Sequence, residues 1–88
     1  MADDATPLDV LILSPERVLY RGKTDSIVLP GEKGVFEVLP HHKRLLSRLL
    51  GGKIYIGKSA LKIKRGVVKV AMNQVTVLVE ETHPAAGA

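Results

Sequence analysis

The chain contains no cysteine among its 88 residues, which excludes disulfide bonds, thiolate metal sites and cysteine nucleophiles together. It has two tyrosines, one phenylalanine and no tryptophan, so leucine and β-branched side chains must fill the core. No apolar run approaches the roughly 20 residues that cross a bilayer as a helix. The acidic start at Asp3 and Asp4 has no apolar signal region. These absences predict a small, non-secreted domain from a reducing compartment.

The composition is that of an ordinary globular domain, with 45% hydrophobic and 25% charged residues. A chain of this length can hold one modest core, and no linker or internal repeat divides it. The formal net charge of +4 is compatible with binding to nucleic acid, to an anionic membrane surface or to an acidic protein. Charge that serves only solubility is the favoured interpretation, because the lysines are spread along the chain.

Short apolar segments with a period of two recur every 8–10 residues, bounded by Pro, Gly, Asn and Asp. This spacing is typical of an all-β sandwich or barrel. We expect a flexible lead-in over 1–7, one sandwich domain over 8–81 and a flexible tail over 82–88. The predicted strands cover residues 8–13, 17–21, 24–29, 35–39, 53–56, 61–64, 67–72 and 75–79.

Two segments need separate interpretation. Residues 43–50, KRLLSRLL, fit either a helical turn with a leucine stripe or an extended strand, and the surrounding strands favour the strand. The segment 75–79 is apolar on both faces apart from Thr76, which predicts a central strand covered on both sides.

The densest polar cluster lies around a turn at 30–34, Pro-Gly-Glu-Lys-Gly, between two apolar runs. Pro30 and Gly31 suit the middle of a tight turn, and Gly34 adds a second flexible point. Glu32 and Lys33 then occupy the exposed tip. After Pro40 ends the second run, a polar segment follows: His41, His42, Lys43 and Arg44.

Enzymatic chemistry has little support in this sequence. No serine lies in a nucleophile-elbow pattern, and no base and orienting residue accompany one. Adjacent His41 and His42 on a strand would point to opposite faces, and His83 is in the tail, so a shared metal ion is not favoured. The glycines of the 31–34 turn precede a strand rather than a helix, which argues against a phosphate loop. We therefore expect no catalytic residues, no metal and no cofactor.

A small basic β-barrel that binds nucleic acid is the alternative function. Such barrels combine a basic groove with stacked aromatic side chains. The basic residues are present, but Tyr20, Phe36 and Tyr55 are far apart in the sequence. Purely electrostatic binding would be steeply salt-dependent.

The order of segments resembles the N-terminal domain of the epsilon subunit of rotary F-type ATP synthases. The matching stretches are Ser-Pro-Glu-Arg at 14–17, Val-Leu-Pro-Gly at 28–31, the segment 34–40, a histidine before Leu45-Leu46, and the final strands at 66–70 and 73–78. The resemblance covers about residues 8–80. It departs from the family at Glu37, His41 and Arg44, where the family usually has Gly, Gly and Pro.

This resemblance implies a flattened sandwich of about ten strands in two sheets. It implies a non-catalytic central-stalk subunit that binds the gamma subunit and the membrane c-ring and couples ion flow to ATP synthesis. The family usually continues into an inhibitory, ATP-sensing helical pair, so we expect coupling without that brake and no ATP binding. The implied location is the cytoplasmic side of a bacterial plasma membrane.

By position, the resemblance assigns c-ring contacts to the loop and to the segment after Pro40, and gamma contacts to the opening strand around Ser14. The loop-shaping residues would be Pro30, Gly31, Gly34 and Pro40. The c-ring residues would be Glu32, Lys33, Val35, Glu37, His41 and His42.

Overall fold

The computed structural model describes residues 6–82. Most of the expected lead-in (1–5) and tail (83–88) lies outside the described residues. Within 6–82 every regular element is a strand, and these number eight where the resemblance implied about ten. The strands are β1 (Leu8–Leu13), β2 (Val18–Thr24), β3 (Ile27–Gly31), β4 (Gly34–Val38), β5 (Leu45–Leu49), β6 (Gly52–Ile56), β7 (Ser59–Ala71) and β8 (Gln74–Glu81).

One hydrogen-bonded network joins the strands into two layers. The first layer has the order β2-β1-β8-β7-β5, and the second contains β4, β3 and β6. The long strand β7 belongs to both layers: its first half pairs with β6, and its second half pairs with β5. Its register against β8 shifts between Ile63 and Arg65, and such a bulge bends a strand. The all-β sandwich is confirmed.

The core lies between the two layers and is built from alternate residues of nearly every strand. The fully buried side chains are aliphatic, as the shortage of aromatics requires. Tyr20 and Phe36 pack against this core from its edge. The core residues are Leu8, Val10, Ile12, Ile27, Leu29, Val38, Leu49, Ile54, Ile56, Ile63, Val68, Val70, Val75, Val77 and Val79.

Most of the segment 43–50 is a strand, which confirms the strand interpretation. Leu45–Leu49 forms β5, and it pairs along its whole length with the second half of β7. The helical stripe of leucines is thereby divided: Leu49 is buried, whereas Leu46 points outward. Tertiary pairing has overridden the local helical pattern.

Three expected boundaries were wrong. The turn after the second strand lies at Asp25-Ser26 and not at Gly22-Lys23, since β2 continues to Thr24 against β1. Arg65-Gly66 does not interrupt β7, because the bulge absorbs the extra residue. The β7–β8 turn is Met72-Asn73, one residue earlier than expected, and both residues have positive φ. Two positive φ values define the type I′ hairpin turn.

Candidate partner-binding surfaces

The 30–34 turn is a two-residue hairpin loop. Gly31 and Gly34 form the last pair of β3 and β4, so the tip consists of Glu32 and Lys33 alone. Pro30 and Gly31 are therefore strand residues, both buried, rather than the middle of the turn as expected. Gly34 has a φ of 123°, a conformation that residues with a Cβ rarely adopt.

Gly31 is required by packing. A Cβ at this position would lie 2.7 Å from Cε1 of Phe36 and 3.0 Å from the carbonyl oxygen of Gly34. The ring of Phe36 on β4 thus packs against the backbone of Gly31 on β3, and only a glycine permits so close an approach. Leu50 also donates its backbone N–H to the carbonyl of Pro30 at 2.8 Å, which ties the base of the hairpin to the end of β5.

The segment after Pro40 forms a second turn. His42 donates its backbone N–H to the carbonyl oxygen of Leu39 at 3.1 Å, with Pro40 and His41 between them. Proline followed by a residue with φ of 69° is the pattern of a type II turn. The Nδ1 of His42 lies 2.7 Å from the carbonyl oxygen of Lys43, to which it donates. His41 and His42 are thus turn residues and do not lie on a strand.

The two parts of the expected c-ring site are not brought together. Glu32 and Lys33 lie beyond one end of β4, and His41 and His42 lie beyond the other. The five residues of β4 lie between the two turns, and the strand alone extends over about 13 Å from its first Cα atom to its last. Glu37 points outward along the strand between them. The structure therefore presents two separate polar turns instead of one cluster.

A groove of about 760 Å³ runs between the β3–β4 hairpin and β5. Its apolar lining includes Val35, Leu46 and Val67, of which Val35 and Leu46 are 73% and 76% exposed. Arg48 on β5 and Glu32 at the hairpin tip form a long ion pair across the groove, with Nη1 and Oε2 3.9 Å apart. The hairpin tip and the outer face of β5 consequently form one continuous surface.

An apolar row crosses the outer face of the first layer. Leu13 pairs with Val18 on one side and Leu78 on the other, and Leu78 pairs with Val67. We call these four residues the apolar row. Leu78 is 46% exposed, so the expectation that residues 75–79 are covered on both sides is wrong within this chain. The alternation Val75, Val77, Val79 packs inward, while the second face of β8 remains uncovered.

Polar groups border the apolar row on both sides. Arg65 and Glu80 form an ion pair of 3.0 Å on one side, and Lys69 pairs in register with Thr76 on the other. An apolar centre with a polar rim is the anatomy of a protein–protein interface. Sequence reasoning missed this row because its members come from four strands. The apolar second face of residues 75–79 was the available signal.

Ser14 lies in the corner between β1 and β2 and is buried. Its Oγ accepts the backbone N–H groups of Glu16 and Arg17 at 3.3 and 3.2 Å, so the hydroxyl is used within its own turn. Arg17 in turn holds Glu81 with Nη2 to Oε1 at 2.8 Å. The hydrogen bond to Glu81, and then its negative charge, raise the pKa of Arg17. Ser14 itself is buried, whereas the residues that follow it, Pro15, Glu16 and Arg17, are exposed.

The aromatic residues do not form a stacking platform. Tyr20 and Phe36 pack against the core, and Tyr55 is on the outer face of the second layer. Within residues 6–82, no group of three His, Asp or Glu side chains is arranged to hold a metal ion. The part of the chain that the structure describes also contains no helix that is long and apolar enough to cross a membrane.

Residues 7–85 match the family model described as the beta-sandwich domain of the ATP synthase delta/epsilon chain. The chain therefore belongs to the ATP synthase delta/epsilon sandwich family. It is 35% identical over 80 residues to the ATP synthase epsilon chain of Leptospira interrogans, with 86% of this chain and 63% of that protein covered. It is 41% identical over 85 residues to the epsilon chain of Nitratiruptor sp., covering 91% and 66% respectively.

Two solved assemblies contain chains of the same fold. A chain in the central stalk and c-ring structure of Tetrahymena thermophila mitochondrial ATP synthase superposes with a TM-score of 0.69 at 15% identity, covering 86% of this chain and 65% of its own length. A chain of the Euglena gracilis mitochondrial ATP synthase superposes with a TM-score of 0.76 at 16% identity, covering 93% and 56%. This chain thus spans less than two thirds of the length of these relatives. At such identities the likeness to solved structures concerns the fold.

Proposed function

We propose that this chain is a non-catalytic rotor subunit of an F-type ATP synthase, which links the gamma subunit to the c-ring and helps couple ion flow to ATP synthesis. It would act at the cytoplasmic face of a bacterial plasma membrane, as a peripheral part of the complex. The family membership and the shared fold with chains of central-stalk structures support this proposal. Its part in the mechanism is mechanical: a rigid sandwich transmits force between two partners.

The observation that carries the proposal is the uncovered second face of β8. Residues 75–79 have the sequence of a strand buried on both faces, yet Leu78 and Val67 are 46% and 41% exposed in the isolated chain. The missing cover is then supplied by another protein, and we assign it to gamma. Burial of apolar side chains favours association by about 25 cal/mol per Å² removed from water.

We assign the contact with the c-ring to the tip of the β3–β4 hairpin. Glu32 and Lys33 are exposed, and Val35 follows them on the rim of the groove. Polar loops of a ring are matched by exposed charges on a rigid support, and Gly31, Gly34 and Pro30 provide that support. Glu37 lies further along β4. The turn formed by Pro40, His41 and His42, at the other end of β4, is the second candidate contact with the ring.

The test is a calorimetric titration of the full chain into the gamma subunit of the same source. We expect saturable one-to-one binding. Leu78→Glu places a charge at the centre of the apolar row and should weaken binding at least about tenfold. The matched control is Tyr55→Glu, since Tyr55 is 48% exposed on the opposite face. It should bind as the unaltered chain does.

Two results would count against the proposal. Absence of saturable binding by the unaltered chain, with gamma shown to be folded, would remove gamma as the partner. Equal affinity of Leu78→Glu and the unaltered chain would move the contact away from the apolar row. Circular dichroism of each variant separates lost binding from lost folding.

A further inference from the structure

The outer face of the second layer carries a cluster of lysines that form no ion pair with a carboxylate within residues 6–82. Lys53 and Lys62 are direct cross-strand partners in the β6–β7 hairpin. Lys64 follows on the same side of β7, because Ile63 between them is buried. Lys58 occupies the two-residue turn of the same hairpin, next to Gly57 with its φ of 57°. We call these four lysines, with exposed Tyr55, the lysine face.

The remaining charges of the molecule are arranged differently. Four ion pairs join side chains within the described part of the chain, and they involve Arg17, Lys23, Arg48 and Arg65. None of them includes a residue of the lysine face. Like charges directly opposite in a sheet destabilise it, and the Cβ atoms of such a pair lie about 4.5–5.5 Å apart. Four of the cations outside these ion pairs therefore lie together on β6, β7 and the turn that joins them.

We infer that the lysine face binds an anionic phospholipid surface. Clustered lysines close to such a surface each contribute favourably, by charge rather than by a fixed hydrogen-bond geometry. Tyrosine suits the boundary between water and lipid, since its ring is apolar and its hydroxyl is polar. Strands β6 and β7 and their turn hold these side chains on one side of the sheet. The inference goes beyond the rotor role and does not depend on gamma binding.

The shape of the face favours a membrane over a nucleic acid. Single strands are bound in basic grooves with stacked rings. The two grooves described on this molecule, of about 760 and 410 Å³, include none of the four lysines. Tyr55 is a single ring, and the cations are lysines instead of the forked arginines that suit phosphate recognition. A lysine-rich face with one tyrosine, outside both of these grooves, fits an array of headgroups.

The experiment is co-sedimentation of the full chain with vesicles at low and physiological salt. One vesicle is phosphatidylcholine alone, and the other includes about 30% phosphatidylglycerol to give the negative surface. We expect binding to the anionic vesicle only, weakening as salt increases. The double variant Lys53→Gln/Lys62→Gln should lower the partition coefficient about 25-fold, or about fivefold for each lysine.

A matched control separates the face from the net charge. Lys43→Gln/Lys69→Gln removes the same charge from exposed positions elsewhere, and its partition coefficient should fall by less than about threefold. Equal losses in the two double variants would overturn the inference, because the binding would then follow net charge. Binding to a single-stranded oligonucleotide but not to the anionic vesicle would overturn it as well. Unchanged gamma binding in Lys53→Gln/Lys62→Gln would keep the result distinct from that for the rotor role.

Discussion

The backbone N–H of His41 donates to Oδ1 of Asn73 at 2.6 Å, and both residues have positive φ, 69° and 63°. The carbonyl of Asn73 also accepts the backbone N–H of Asp9 at 2.8 Å. One asparagine therefore joins the turn after β4, the β7–β8 hairpin and the start of β1. Left-handed conformations cost most residues about 1–2 kcal/mol, whereas asparagine tolerates them. The contact supports His41 in a conformation that glycine would adopt more easily.

Substitution of Asn73 should separate the hydrogen bond from the backbone conformation. Asn73→Ala loses both the acceptor and the tolerance of positive φ, so we expect a loss of about 2–3 kcal/mol in the free energy of unfolding. Asn73→Gly keeps the conformation and loses the acceptor, and should cost about 1 kcal/mol. Asn73→Asp keeps the acceptor and the tolerance of positive φ, so its free energy of unfolding should be close to that of the unaltered chain. Urea denaturation measures the series. Equal losses for alanine and glycine would show that the backbone conformation contributes nothing.

Changing Gly31 or Gly34 to alanine should destabilise the fold, for a different reason at each position. Gly31→Ala brings a methyl group 2.7 Å from the Phe36 ring, and overpacking of this kind costs about 1–3 kcal/mol. Gly34→Ala meets no atom within 4 Å but strains a φ of 123°. The double change Gly31→Ala/Phe36→Leu should therefore cost less than the sum of its single changes, whereas Gly34→Ala/Phe36→Leu should be additive. Thermal and urea unfolding of the six chains measure this difference. If the losses of stability were additive in both double variants, the clash with the Phe36 ring could not be the cause at Gly31.

The Arg17–Glu81 pair should give a stability contribution that does not vary around neutral pH. The hydrogen bond and charge of Glu81 raise the pKa of Arg17 from a value already far above neutrality. A group with a raised folded-state pKa contributes fully below its unfolded pKa and loses that contribution only as pH rises through the folded value. The difference in unfolding free energy between the unaltered chain and Arg17→Gln should thus be the same at about pH 6 and about pH 9. A difference that shrinks across this interval would contradict the assignment.

Much of the sandwich could be predicted because its strands follow a period of two with clear turn residues. Val75, Val77 and Val79 illustrate this: they lie in a segment that was predicted as a strand, and all three are buried in the core. The boundaries failed where pairing decided the outcome. Gly22 has the sequence of a turn residue but is held in β2 by its pairing with Val10.

The candidate surfaces were less accessible to sequence reasoning. Glu32 and Lys33 were predicted at an exposed tip and are found there. The apolar row depends on the register of four strands, and register cannot be read from one sequence. The apolar second face of Leu78 was visible, but a single sequence cannot distinguish cover within the chain from cover by a partner. The hydrogen bond between His41 and Asn73 joins residues 32 positions apart, so no local sequence pattern indicates it.

The absence of cysteine from the chain allows the most direct test, because a single introduced thiol has no competitor. Glu32→Cys marks the hairpin tip, and Thr76→Cys marks the border of the apolar row without altering the row itself. Each variant is assembled into the cognate ATP synthase and treated with a short photoactivated cross-linker. The account predicts that Glu32→Cys joins the c-ring and that Thr76→Cys joins gamma. Products of both thiols with the same partner, or with neither, in an assembled and active complex would contradict it.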